Sequence, residues 1–210
     1  MHISCLRYFF LLLLILLPLS VHAGDAISFT SPSLPAVVWK TEHTLGRRSA
    51  PVIAIQYSDY QCPFCRIAHQ RMRAFFRRNR GAIVWVYRHY PLSFHDKAGP
   101  AAEAAECAGF LKGNQAFWQF TDAVYEGQGN FDFAAIAKRL SIDTAAFRKC
   151  TESKMFATRV QEQFKGGAAA GVNGTPTTFL LNKKTNQGEL FIGAQELSTL
   201  QTALQKMLEP

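Results

Sequence analysis

Several features of larger protein classes are missing from this sequence. The apolar run near its start, Tyr8 to Leu17, is only ten residues long before Pro18, whereas an ordinary membrane-spanning helix needs about 20. No internal repeat or low-complexity tract stands out. No recognisable nucleic-acid-binding motif is present, so nucleic acid is not an expected partner. Acidic residues are in deficit, 15 against 23 Lys and Arg, for a net charge of +8. Much of the excess is local, at Arg66, Arg71, Arg73, Arg77, Arg78 and Arg80. That cluster reads as a solvated helix face or as a surface drawn to anionic headgroups or acidic partners. Cysteine is scarce, five in 210 residues, so the position of each one carries weight.

The first segment is a processing signal. Arg7 supplies the charge, Tyr8 to Leu17 the apolar region, and Val21-His22-Ala23 a small-residue cleavage site. Residues 1–23 are therefore expected to be a signal peptide and the mature chain to be exported, in a bacterium to the periplasm. An uncleaved inner-membrane anchor is the minority alternative. Cys5 leaves with the signal, and the other four cysteines reach an oxidising compartment. Four cysteines allow three pairings; the favoured one joins Cys62 with Cys65 and Cys107 with Cys150.

The chemistry concentrates at Tyr57-Ser58-Asp59-Tyr60-Gln61-Cys62-Pro63-Phe64-Cys65. The apolar run before it, Pro51 to Tyr57, predicts a strand buried on both faces. After it, Phe64, Ile67, Ala68, Met72, Phe75 and Phe76 recur at helical steps. Two thiols thus stand at the start of a helix. The partial positive charge and free N–H groups of a helix N-terminus favour thiolate, the nucleophile of disulfide exchange. Pro63 suits the first turn, where its missing N–H has no role. Cys62 is the expected attacking sulfur and Cys65, one turn in, the resolving one. Cys62, Cys65 and His69 would make three zinc ligands, but no fourth is evident and no metal or other cofactor is expected. His89 and His95 read as loop or surface residues. Asp59 and Tyr60 either orient the loop before Cys62 or merely cap it.

Downstream, Gly81 is expected to end the helix and Ala82 to Arg88 to form a second strand, giving a parallel strand–helix–strand unit. Residues 100–165 read as an all-helical insertion, with Asn114, Asp132 and Asp143 as helix caps and a longer helix from about Ser153 to Ala170. Strands return at Thr177 to Leu181 and Glu189 to Ile192 around a hairpin turn at Asn186-Gln187-Gly188. Glu196 to Leu208 is the last helix. Residues 24–50 form an extended arm, with an edge strand around Val37 to Lys40.

This order resembles an α/β thioredoxin fold with an inserted helical subdomain. The specific residues are Ser58 to Cys65, Gly171-Val172-Asn173-Gly174-Thr175-Pro176-Thr177, and the Cys107 and Cys150 pair. On them the chain resembles the DsbA-like thiol–disulfide oxidoreductases over nearly all of its mature length. The resemblance implies two half-domains, residues 24–99 and 166–210, flanking the helical block of residues 100–165. It implies a cis Pro176 facing the Cys62–Cys65 pair, with Thr175 before it, where an extended substrate adds as a strand. Pro63 and Phe64 would help set the redox poise or touch substrate. Cys107 and Cys150 would form a structural staple closing a loop of 44 residues counting both ends, worth about 4 kcal/mol in the chain-entropy account; the alternative is a second redox pair that relays electrons.

One departure from the pattern stands out. Many relatives carry a buried acid six residues before the first cysteine; here that residue is Gln56, which cannot take up a proton. Either Asp59 or water substitutes, or Cys65 is deprotonated less readily. The resemblance implies a monomeric enzyme that introduces disulfides into unfolded or reduced proteins and is reoxidised by a membrane partner. A reductase or isomerase, and a chaperone-like peptide binder without redox chemistry, are the rival expectations.

Overall fold

The seven residues from Val52 to Ser58 are all buried, which is why they alternate little in polarity. In the computed structural model, which describes residues 26–30, 34–127 and 129–209, they form the central strand. The expected signal peptide lies outside these residues. In chain order the elements are β1 (Ile27–Thr30), β2 (His43–Leu45), β3 (Val52–Ser58), α1 (Pro63–Arg78), β4 (Ile83–His89), α2 (Ala98–Lys112), α3 (Asn114–Glu126), α4 (Phe133–Arg139), α5 (Thr144–Glu152), α6 (Ala157–Ala169), β5 (Thr177–Asn182), β6 (Gln187–Ile192) and α7 (Leu197–Leu208). They build one six-stranded sheet in the order β1-β6-β5-β3-β4-β2. β3 and β4 run parallel, joined through α1, and every other neighbouring pair is antiparallel.

Period-two alternation sorts the side chains between two cores. Val52 and Ala54 of β3 and Ile83, Trp85 and Tyr87 of β4 face one cluster, shared with α1, α2, α3 and α7. Ile53, Ile55, Tyr57, Val84 and Val86 face the other, which Phe164 of α6 helps to cover. Gly167 makes that cover possible. A Cβ there would sit 2.7 Å from the Tyr57 ring, so a larger residue would push α6 off the sheet.

Several expectations need correction. No strand forms at Val37 to Lys40, because the backbone there satisfies itself in a turn, Thr41 and Glu42 N–H both donating to Val38 O. The sheet edges are β1 and β2 instead. α1 stops at Arg78, capped by Asn79, whose side-chain amide donates to Phe75 O (2.9 Å); Gly81 makes the next turn at φ +93°. Asn114 is the first residue of α3 rather than its cap. Its amide donates to Thr44 O (2.8 Å), tying α3 to β2. Lys154, at φ 51°, breaks the expected long helix, and α6 starts at Ala157. Asp132 and Asp143 do cap α4 and α5, accepting from Ala135 N and Ala146 N.

Candidate active site

β3 ends at Ser58, and the chain turns through Asp59 to Gln61 before α1 begins. Asp59 shapes that turn. Its buried carboxylate accepts from the backbone N–H of Gln61 (2.7 Å) and Cys62 (3.2 Å) through Oδ1, and from Leu92 N–H (2.8 Å) through Oδ2, which also meets His95 Nδ1 at 2.9 Å. Of the two sequence options for Asp59, the structure has it orient the loop. With both oxygens so occupied, it has little capacity left to serve the thiols as a base.

Cys62 is the N-cap residue of α1, with Pro63 next. Both thiols are free and buried, Cys62 with 6 % of its area exposed and Cys65 with none. Their environments push them apart. A hydrogen bond from Cys65, helped by the N–H groups of Cys65 and Phe64 and opposed by partial burial, lowers Cys62 to about 6. Burial drives Cys65 well above its ordinary value, and the nearby Cys62 adds to the rise. Cys65 also accepts from Asp59 N–H (3.4 Å). One sulfur is thus a thiolate at neutral pH and the other a thiol.

The antiparallel pairing of β3 with β5 sets Thr177 opposite Tyr57, so the segment before β5 reaches the end of β3 from which α1 departs. There the Thr175–Pro176 bond is cis, and Cys62 Sγ lies 3.5 Å from Thr175 O. Thr175 Oγ1 is buried without a protein hydrogen-bond partner. Phe64 is 61 % exposed beside Cys62, and Ile192, paired with Thr177 across the sheet, is 52 % exposed. The thiolate therefore sits between exposed apolar side chains and an irregular segment of backbone.

Cys107 and Cys150 stand apart from this site. They are joined in a disulfide between α2 and α5. His69 is engaged with Asp122 at 2.6 Å rather than with the thiols, and no group of three or more potential metal-binding residues occurs among the described residues. The arginine cluster divides in the same way. Arg73 pairs with Asp122 and Arg71 with Glu196, whereas Arg77, Arg78 and Arg80 are exposed.

Sequence reasoning missed the polar interior next to Cys65. Ser58 Oγ and Tyr125 Oη lie 2.9 Å apart, and Tyr125 Oη is 2.8 Å from Tyr87 Oη. It also misplaced His89, which is buried at the end of β4 and meets Glu106 at 3.1 Å. Glu106 is itself buried and meets His43 at 3.0 Å and Arg159 at 2.9 Å. Burial opposes its charge, but the bonds from His43 and His89 hold it ionised, well below the usual carboxylate range.

Comparison with known proteins places this geometry. The thioredoxin family model matches residues 39–206. Among solved structures, DsbA2 of Pseudomonas aeruginosa is 25% identical with a TM-score of 0.68, covering 84% of this chain and 99% of that one. Oxidised BdbD of Bacillus subtilis is 19% identical with a TM-score of 0.72, covering 86% and 99%. Both carry the thioredoxin fold, here with helices α2 to α6 between β4 and β5. The curated relatives it matches are larger proteins. They include the Na(+)/H(+) antiporter NhaA 1 of Salinispora arenicola, 36% identical over 157 residues, and NhaA 3 of Salinispora tropica, 31% identical over 173. The matches cover 73% and 80% of this chain but 23% and 26% of those proteins, so the chain spans about a quarter of their length. No helix among the described residues is long and apolar enough to cross a membrane.

Proposed function

The chain belongs to the thioredoxin family and is built as a DsbA-like thiol–disulfide oxidoreductase, and from that premise we propose that it works outside the cytoplasm as a disulfide donor to proteins. The carrying observation is the split between the two thiols, Cys62 lowered to about 6 and Cys65 pushed up. A pair whose reduced form holds one sulfur as a stabilised thiolate favours that reduced form, and so passes its disulfide on.

The reaction balances as follows. A substrate cysteine thiolate attacks Cys62, forming the substrate–Cys62 bond and breaking the Cys62–Cys65 bond. Cys65 leaves with the electron pair and takes up a proton. A second substrate thiolate then attacks the first substrate sulfur, closing the substrate disulfide and releasing Cys62 as thiolate. The enzyme has gained two electrons, and a membrane-bound oxidant removes them. Phe64, Pro63, Thr175 and Pro176 border Cys62 where an unfolded chain would lie, the exposed Phe64 ring offering apolar contact and the Thr175 backbone a strand edge. The N-terminal signal pattern supports export to the periplasm, and we assign the monomer as the working form.

The test uses the oxidised protein and a reduced, unfolded substrate protein. Disulfides should appear in the substrate at the expense of Cys62–Cys65, and Cys65→Ser, with Cys62 first charged as a mixed disulfide with glutathione, should release glutathione and retain a single-cysteine substrate peptide as a mixed disulfide through Cys62. A substrate that stays reduced, or whose existing disulfides are instead broken by the reduced enzyme, would reverse the direction. Binding that survives Cys62→Ser/Cys65→Ser with no redox exchange in the parent would mark a chaperone-like binder.

A further inference from the structure

Beyond β4 the chain returns to the active-site turn. Tyr90 N–H donates to Ser58 O (2.9 Å), and the residues that follow, Pro91 to Lys97, connect β4 to α2. One buried carboxylate holds this loop from inside. Asp59 accepts from Gln61 and Cys62 N–H through Oδ1 and from Leu92 N–H through Oδ2, where His95 Nδ1 also lies at 2.9 Å. Gln61 adds a second fastening. Its Oε1 accepts from Lys97 N–H (2.7 Å) and its Nε2 donates to Asp96 Oδ1 (3.2 Å). The loop also closes turns on itself, His95 N–H donating to Leu92 O and Ala98 N–H to His95 O. Leu92, His95, Asp96 and Lys97 are thus all fixed to the turn that carries Cys62.

What this fastened loop shows to solvent is an aromatic ring. Phe94 is 76 % exposed, the most exposed large apolar side chain among the described residues, and its ring stands edge-on to that of His95 with centroids 4.5 Å apart. Apolar residues exposed singly mean little, but Phe94 is not single. The path from its ring to Cys62 runs through His95 and the Asp59 carboxylate, and the exposed Phe64 follows Cys62 by two residues. The chemistry of Cys62 sets what comes to this place. A protein cysteine that awaits its disulfide is reachable while its chain is unfolded, and an unfolded chain offers the apolar side chains that a folded one hides. The charges next to Phe94 are of both signs, Asp96 and Lys97 lying 3.4 Å apart, so the loop selects for apolarity rather than for charge.

We propose that the loop from Pro91 to Lys97 is a substrate-binding element, with Phe94 as a specificity-determining contact for unfolded polypeptide and Asp59 and Gln61 as the positioning residues that hold it to the Cys62 turn. A large apolar side chain of the substrate, close in sequence to the reacting cysteine, packs on Phe94 while the thiolate meets Cys62. The substrates this favours are cysteine segments flanked by large apolar residues. The assignment deepens the disulfide-donor reading above and rests on it.

The test compares two reductants of the oxidised full-length protein by rapid mixing: reduced, unfolded lysozyme, and dithiothreitol, which has no side chain to offer Phe94. The readout is the ratio of the two second-order rate constants. Phe94→Ser should lower that ratio about three- to tenfold, the value of burying part of an aromatic side chain. At rising lysozyme concentration the loss should lie in the half-saturating concentration and not in the limiting rate. Gln61→Ala should lower the ratio by a smaller factor with Phe94 still present, and the double variant should do no worse than Phe94→Ser, because both act through one contact. Phe110→Ser is the control. Phe110 is 62 % exposed but stands twelve residues along α2 from Ala98, about 18 Å at the helical rise, and its replacement should leave the ratio unchanged.

A Phe94→Ser ratio equal to that of the parent, or Phe110→Ser losing as much, would overturn the loop's role. Light scattering covers the other occupant: a parent dimer that Phe94→Ser splits into monomers, with kinetics unchanged, would give the ring to a second copy of the chain and overturn the proposal. A parent that dithiothreitol reduces but unfolded lysozyme does not would instead overturn the disulfide-donor reading, and the substrate contact with it. The behaviour of the parent thus tells the two failures apart.

Discussion

The molecule carries two pairs of cysteines, and they have nothing in common beyond the element. Cys62 and Cys65 lie one turn apart at the start of α1, free, with unequal affinities for protons. Cys107 and Cys150 lie 43 positions apart on α2 and α5, joined and buried in the helical core. Surroundings make the difference. The hydrogen bond from Cys65 and the N–H groups of a helix N-terminus lower one thiol, whereas the other pair is already joined between two packed helices. Glu106, the residue before Cys107, shows the same contrast for charge. It is a buried anion fully engaged by His43, His89 and Arg159, whereas Cys62 lines a cavity with Arg66 and Phe131.

The sharpest way to break the comparison is to remove each pair in turn. Cys62→Ser should lower disulfide transfer by about three orders of magnitude or more, the loss of a nucleophile with no substitute. Replacing Cys107 and Cys150 by Ala should leave the transfer rate within a few-fold but destabilise the fold by about 4 kcal/mol, a fall in Tm of roughly 8–16 °C. Lost activity at unchanged thermal stability would make the second pair a redox relay rather than a staple.

The pH dependence sharpens the comparison further. Cys62 is an acid whose folded value is depressed to about 6, so it stabilises the reduced protein fully above the ordinary thiol value, and that contribution is lost as pH falls through about 6. Relative to the oxidised protein, the reduced one should therefore gain on the order of 3 kcal/mol between pH 6 and about 8.5. Denaturant melts of both redox forms across that window measure it, and a difference independent of pH would contradict it. Glu106→Gln should cost about 2 kcal/mol, the value of hydrogen bonds to a buried charge, and leave alkylation of Cys62 unchanged. The smallest effect belongs to Phe64→Ala. If the ring only contacts substrate, KM should rise a few-fold at unchanged kcat, while a changed redox equilibrium would give it the other role.

Which parts of this were readable in the sequence follows from the range of the interactions. The strand before Cys62, the helix after it and the Thr175-Pro176 segment are local patterns, and the structure has each of them. The helix boundaries at Asn114, Gly81 and Ser153 misled because the deciding bonds are tertiary or stereochemical: Asn114 spends its amide on β2, and Lys154 turns the chain at positive φ. His89 looked like a surface residue because its partner, Glu106, is 17 positions away in a helix that packs over it. Ser58 sat in plain view, but Tyr125 is 67 positions from it, and no pattern in the chain announces their contact.

On the proposed function, the environment of Cys62 makes this pair a disulfide donor. Equilibrating the protein with a glutathione redox buffer, and reading Cys62 and Cys65 by alkylation and mass, tests it most directly. A disulfide donor should show a potential more oxidising than that of glutaredoxins, above about −200 mV. A value near that of thioredoxin, about −270 mV, would mean that the pair is built to stay oxidised once oxidised and to give up electrons, and the disulfide-donor reading would be wrong.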